Sequence, residues 1–346
     1  MQRASEAFSI FRAAQARSQS RLYSELCRPI AADEQILGLL REVRKGQPMP
    51  NLLFAAVHYL LLAGGGEEPL ARFYADVTPR VSDPESAYPL FREFCLRHSD
   101  AIRGLVNNRL VQTNEVSRCS ALLPAFAIAL RRQGKRSIGL VEIGASAGLN
   151  LLWDRYHYDY GAGLTFGPSD SSVRLHCRLK GRNIPRLPDT MPAVSARVGI
   201  DLNPIDVFDD DSILWLKALI WPEHESRRRT FAAAVALARR RRLDVVRGDA
   251  CDGLAGILRT IPGDAFPCVF HTMVMNQLSP DSQQRLDDVL TSEAKHRDLA
   301  VASIVWTPKE QTPRVLLTQF HNGGPDRAVL ARCSPHGEWL EWLSSA

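Results

Sequence analysis

From residue 138 onward, apolar β-favouring runs alternate with helical stretches, and this alternation restricts the chain to a few architectures. The runs are "IGLVEI", "ARVGIDL", "LDVV", "FPCVFHTMV", "LAVASIVW", "VLLTQF" and "RAVLARC", seven candidate strands. The first five are separated by segments long enough for crossover helices, as parallel strands require, and the last lie close together like the arms of a hairpin. Residues 1–133 carry helix signals and almost no strand signals. "PNLLFAAVHYLLLAGGG" reads as a helix opened by Asn51 and closed by a glycine run, and Pro69 and Pro84 mark further helix starts. "TNEVSRCSALLPAFAIALRRQGKR" reads as a long helix capped by Thr113 or Asn114, kinked or broken near Pro124 and stopped at Gly134. The expected fold is α/β. A helical N-terminal, capping domain over 1–133 precedes a doubly wound, mostly parallel seven-stranded Rossmann-like sheet over 134–346. A β-hairpin insertion is expected at about 156–195, where Val173, Leu175, Cys177 and Leu179 alternate with charged residues at the period of a half-exposed strand.

Composition narrows the function classes. The chain has 346 residues, 45% hydrophobic and 23% charged, enough for one large core or two modest ones. "LLFAAVHYLLLA" is too short for a membrane span, and the N-terminus lacks the apolar core of a signal peptide, so a cytoplasmic location is expected. The seven cysteines are scattered, odd in number and form no C-x-x-C pair. They are expected to pack as small hydrophobes, with neither disulfides nor a metal site. The formal charge of +5 rests on arginine, with clusters at 227–229 and 239–242. Without interleaved aromatics these read as solvated helix faces, and a small-molecule partner is expected instead of nucleic acid.

The stretch "LVEIGASAGLNLL", residues 140–152, admits two chemistries. Gly144-Ala-Ser146-Ala-Gly148 fits the G-x-S-x-G elbow of a serine hydrolase, but the upstream half offers no strand and loop for the second oxyanion donor. The other reading is a cofactor loop: a strand enters a Gly-rich turn, a helix starts immediately after, and backbone N–H groups face a ligand. Glu142 would then pair with a cationic group, and Gly144 and Gly148 would permit close backbone approach.

The second reading resembles motif I of class I S-adenosylmethionine-dependent methyltransferases, E/D-x-G-x-G-x-G, with Ser146 in place of the middle glycine. Asp201 in "VGIDLNP" stands at the end of the second strand, where such folds bind ribose hydroxyls. Asp249 in "RGDA" resembles the acidic residue that methyltransferases hold near the adenine amine. "QTNEVSRC", "VEIGASAGLNL", "GIDLNPIDV", "LIWPEHESRR" and "HGEWLEW" together resemble a bacterial family known mainly as a domain of unknown function. That family is regarded as a helical region followed by a methyltransferase-like core.

The resemblance implies S-adenosylmethionine as cofactor and methyl transfer to a small or medium-sized nucleophile, chemistry that needs mainly positioning. Arg118, one turn after Asn114, would take the cofactor's carboxylate, or else form a surface pair. His271, at the end of the fourth strand beside Thr272, is expected as the general base or as a packed core histidine. Tyr156, Tyr158, Trp306 and His336 are candidates for the substrate wall, with burial in the core as the alternative. A cofactor-binding sensor without transferase activity, and a hydrolase using Ser146, remain open as other functions.

Overall fold

The computed structural model describes residues 2–133, 137–306 and 311–343, and the chain divides into two compact units. The helical unit comprises Met1–Thr113 together with Phe208–Arg229. The expected helical domain ran to 133, whereas residues from Asn114 onward belong to the sheet unit. The helix expected at Asn51 spans Met49–Ala63, with Pro50 in its first turn and Gly64 at its end. Its neighbours form an aromatic core in which Tyr23 stacks on Phe54 at 4.1 Å and Trp221 lies against Phe11 and Tyr23.

The sequence "LIWPEHESRR" is explained within this unit. The Glu223 carboxylate accepts from the Ser20 hydroxyl at 2.9 Å and the Leu22 N–H at 3.1 Å, placing an anion at the start of the helix Arg21–Ala32. Arg228 lies 3.4 Å from the buried Asp76 carboxylate, which also meets His58 Nε2 at 3.0 Å. His58 Nδ1 is 2.9 Å from the Ala218 carbonyl. These contacts fasten the returning segment into the helical core.

The sheet unit comprises Asn114–Val207 and Thr230–Ala346. Its helices are α1 (Cys119–Gln133), α2 (Glu225–Arg239, whose first residues count with the helical unit), α3 (Ala250–Thr260) and α4 (Pro280–Ala294). Its strands are β1 (Ser137–Ile143), β2 (His157–Asp159), β3 (Thr165–Phe166), β4 (Arg174–His176), β5 (Arg178–Lys180), β6 (Ala193–Asp201), β7 (Asp244–Arg247), β8 (Phe266–Thr272), β9 (Leu299–Val305), β10 (Arg314–His321), β11 (Gly324–Cys333) and β12 (Trp339–Trp342).

The main sheet has nine strands, not the expected seven, in the order β5-β12-β11-β10-β9-β8-β1-β6-β7. All seven expected runs are in it. Pairs from β7 through β9 are parallel, β9 to β12 are antiparallel, and β5 joins β12 in parallel. The two additional strands, β5 and β12, are only three and four residues long, and β5 is the end of the run expected as a strand of the insertion.

The expected hairpin is also corrected. β2 and β3 pair antiparallel, but β4 adds to β2 in parallel, making a separate three-stranded sheet. The single strand expected over 173–179 divides at Cys177. Its N–H bonds the Asp159 carbonyl at 2.9 Å, while the next N–H, of Arg178, bonds Glu338 of the main sheet at 2.9 Å. The alternation holds nonetheless, with Val173, Leu175 and Cys177 buried.

Helices cover both faces of the sheet. On one, Phe126 of α1 meets Phe270 of β8 edge to face at 5.5 Å. On the other, α3 and α4 share a core with Val141, Ile143, Val269 and Val301. α1 runs through Pro124 without a break, and Gly134, its expected stop, lies outside the described residues. The seven cysteines are free and buried, as expected of small hydrophobes. No helix among the described residues is long and apolar enough to cross a membrane.

Packing under β1 is tight enough to test. A Cβ on Gly139 would lie 2.3 Å from Ile261 Cγ2, whereas one on Gly256 of α3 meets nothing within 4 Å. Gly139→Ala is expected to cost about 1–3 kcal/mol through overpacking. Gly256→Ala should gain up to about 1 kcal/mol from helix propensity. Thermal and urea denaturation of the two variants checks the pair, and equal melting would contradict the packing.

Candidate functional site

The chain leaves β1 for β6 on one side and β8 on the other, so the strand order reverses between β1 and β8. In open α/β sheets the crevice beyond the carboxyl ends at such a switch point is where ligands bind. The β1 loop enters this crevice with three left-handed residues, Gly144 (φ 70°), Ser146 (φ 51°) and Gly148 (φ 70°). The helix expected to follow is a short 3-10 segment, Leu149–Arg155.

The loop's N–H groups are largely taken within the protein, contrary to the expectation that they face a ligand. Those of Gly144 and Ala145 bond the Ile200 carbonyl at 2.8 and 3.4 Å, and that of Gly148 bonds Ala145 at 2.7 Å. Ser146 donates its N–H to Asp201 Oδ2 at 2.8 Å, and Asp201 Oδ1 accepts from Asn203 N–H at 2.7 Å. Asn114 closes the arrangement, donating to the Ala145 carbonyl at 2.9 Å and accepting from Leu149 N–H at 3.3 Å. Asn114 therefore caps the loop, and the cap of the segment leading into α1 is Glu115, which accepts from Ser117 N–H. The glycines serve packing as well. A Cβ on Gly148 would lie 2.9 Å from Val245 Cγ2, and one on Gly144 would lie 2.6 Å from Val274 Cγ2.

Ser146 has the left-handed backbone of a hydrolase elbow, but its side chain is not presented as one. The residue is 4% exposed, and its hydroxyl has no hydrogen-bond partner among the described residues. An elbow needs an exposed hydroxyl held by a histidine.

Beneath the loop, Glu142 is 2% exposed, with Oε1 accepting from Asn150 Nδ2 at 3.0 Å and Oε2 without a partner among the described residues. Burial pushes its carboxyl up to about 8; the Asp201 charge adds to the rise, and the Asn150 hydrogen bond and Arg118 oppose it. Glu142 is therefore largely protonated at neutral pH.

Arg118 joins this cluster from the segment before α1. Its Nε donates to the Pro335 carbonyl at 2.9 Å and its Nη1 to Thr272 Oγ1 at 3.2 Å. Glu115 Oε2 lies 3.9 Å from His336 Nδ1. The turn carrying His336 fits because Gly337 (φ 76°) has no side chain; a Cβ there would lie 2.1 Å from the Ser117 carbonyl. "QTNEVSR" and "HGEWLEW", far apart in sequence, thus meet at the end of β8.

His271 belongs to the opposite face. Paired residues on neighbouring strands share a face, and His271 registers with Ile143 and Ser303, whereas Glu142 registers with Phe270. His271 is 5% exposed, and burial alone pushes its imidazole down to about 4. A neutral ring of that acidity takes protons poorly near pH 7, which tells against the expected general base.

The other candidates separate clearly. Tyr156 and Tyr158 are fully buried and donate to the Leu149 and Trp153 carbonyls at 2.5 Å, so they pack the insertion instead of lining a substrate space. Asp249 caps α3 through Cys251 N–H at 2.8 Å and remains exposed at the end of β7. Trp306 is half-buried just after β9. Sequence reasoning missed Asn150, whose signal was a lone amide in the apolar run "LNLLW". Asp154 is buried against Arg197 with contacts of 2.6 and 2.8 Å. No group of three or more His, Cys, Asp or Glu side chains suited to a metal is gathered among the described residues.

The raised Glu142 pKa fixes a pH dependence. A folded pKa of about 8 against an ordinary 4.5 means the native state holds this proton more tightly than the unfolded chain. The contribution is fully present below the unfolded value and is lost as pH rises through about 8, on the order of a few kcal/mol. Glu142→Gln should melt with wild type at pH 4 and above it at pH 9. Parallel melting curves at both pH values would contradict the burial of this charge.

No curated protein and no solved structure matches the chain. A family model does match residues 5–342, and by it the chain belongs to DUF2332, described as an uncharacterized protein conserved in bacteria.

Proposed function

We propose that the chain is an S-adenosylmethionine-dependent methyltransferase acting on a small or medium-sized nucleophile. The observation that carries this reading is the succession of carboxylates at the ends of three adjacent parallel strands, Glu142 on β1, Asp201 on β6 and Asp249 after β7. The order β7-β6-β1-β8-β9-β10 follows the 3-2-1-4-5-6 arrangement of nucleotide-binding sheets, with its sixth strand reversed. A loop whose N–H groups are internally satisfied offers little to a phosphate, which favours a phosphate-free nucleoside cofactor over a dinucleotide.

The residues present fit such a group. The unpartnered Glu142 Oε2 can accept from an ammonium, the half-buried Asp201 can accept from ribose hydroxyls at its remaining lone pairs, and Asp249 can accept from an adenine amine. When bound, the cofactor supplies an electrophilic methyl group. The protein's part is to hold that group and the acceptor in line and to exclude water. A sensor that binds the same cofactor without transfer would bind alike but never release S-adenosylhomocysteine.

Calorimetry with S-adenosylmethionine and S-adenosylhomocysteine tests the reading, and micromolar binding is expected. Gly144→Val is a poor control, because its side chain would meet Val274 and its φ is positive. Asp249→Asn keeps an α3 cap while removing the charge, so affinity should fall about tenfold with melting unchanged. Binding should tighten from pH 6 to 8, by up to about tenfold per unit, because Glu142 must release its proton to solvent to pair with a cationic ligand. 5′-Methylthioadenosine, which lacks the ammonium, should be insensitive to pH in this range. No binding of either cofactor form would end the methyltransferase reading.

A further inference from the structure

We infer that His336, paired with Glu115, is the proton acceptor of this sheet edge, a role that rests on reading the edge as the acceptor side of the proposed site. Glu115 is 5% exposed, and its Oε1 is fixed by the Ser117 N–H at 3.2 Å. Its other oxygen faces His336 Nδ1 at 3.9 Å, and the His336 side chain keeps 22% of its surface in solvent. A proton acceptor needs both features, a carboxylate to hold the imidazolium and access for the proton to leave. His271, 5% exposed on the other face, has neither.

The position of His336 is set by the backbone around it. Gly337 lies directly on the Ser117 carbonyl, and its N–H bonds the Ser334 carbonyl at 3.3 Å. Arg118 ties Pro335 to Thr272, so the turn is anchored to the carboxyl end of β8 at the switch point. Among the described residues, charged and titratable groups near the imidazole include Glu115 and Arg118 from the segment before α1, and Cys333 and Glu338 from its own segment. Burial pushes the Cys333 thiol up to about 12, leaving it neutral, and Glu338 is exposed. Arg118 opposes a positive imidazole, but its guanidinium is engaged with the Pro335 carbonyl and Thr272 and neighbours Glu142. An N–H or O–H acceptor would give its proton to the ring, keep the electron pair as nucleophile, and leave an imidazolium beside the Glu115 carboxylate. The proton then passes to solvent.

Histidine labelled with carbon-13 gives nine ring signals, and His336→Gln identifies the one that matters. Its titration is followed in wild type, Glu115→Gln, which keeps an acceptor for Ser117 N–H, and Glu115→Asp, which keeps the charge. Glu115→Gln should lower the ring's proton affinity about fivefold, as for a partly exposed ion pair, with Glu115→Asp in between. S-Adenosylhomocysteine should then move the His336 signal. Identical titrations in all three proteins would overturn the pairing. Calorimetric binding that leaves the His336 signal unmoved would overturn its placement while the cofactor reading stands. A Glu115-dependent titration with no cofactor binding would support the pairing while that reading fails.

Discussion

Asp201 can hold the β1 loop only because Ser146 turns its N–H toward it, and Ser146 does so by taking a left-handed backbone at φ 51°. A non-glycine residue in that region costs about 1–3 kcal/mol and persists only when its surroundings over-determine it. Here the carboxylate accepts two backbone N–H groups, Asn114 bonds the loop at both ends, and Gly148 presses against β7. The end of β6, the segment before α1 and the β1 loop are thereby locked into one arrangement. Glu142, sealed beneath that loop, loses its water and rises toward neutral pKa.

The polar network lies on one face of the sheet edge. Glu142, Asn150, Arg118 and Thr272 stand toward α1, with Glu115 and His336 joined to them through the Pro335 turn. The other face at the same strands carries His271 and Ser303 beside the apolar core shared by α3 and α4. This division means that a ligand touching Glu142 approaches from the α1 side, and that proton transfer must be sought there.

Much of the fold was legible because β-favouring apolar runs mark strands, and all seven such runs pair in the sheet, five of them in parallel and the last two antiparallel. β12 was not legible, since residues 339–342 are too short to show a period, and β5, read as the end of the strand over 173–179, joins the main sheet only through its pairing with β12. Glycine spacing and strand ends point to Gly144, Asp201 and Asp249, which lie at the carboxyl ends of the adjacent strands β1, β6 and β7. The internal capture of the loop's N–H groups was illegible, because Asn114 reaches Ala145 and Leu149 from more than thirty residues away. For His271 the two expectations, general base or packed core histidine, stayed open in the sequence because it gives the strand position but not the face, and a one-residue offset from Thr272 reverses the face.

The edge formed by β7, β6, β1 and β8 is the proposed site of the nucleoside cofactor. A crystal structure of the chain grown with S-adenosylhomocysteine tests it most directly. Ligand density is expected over Gly144, with the ribose hydroxyls within hydrogen-bond distance of Asp201 and the ammonium at Glu142. Density for the ligand on any other surface, with this edge filled only by the chain's own side chains, would contradict it.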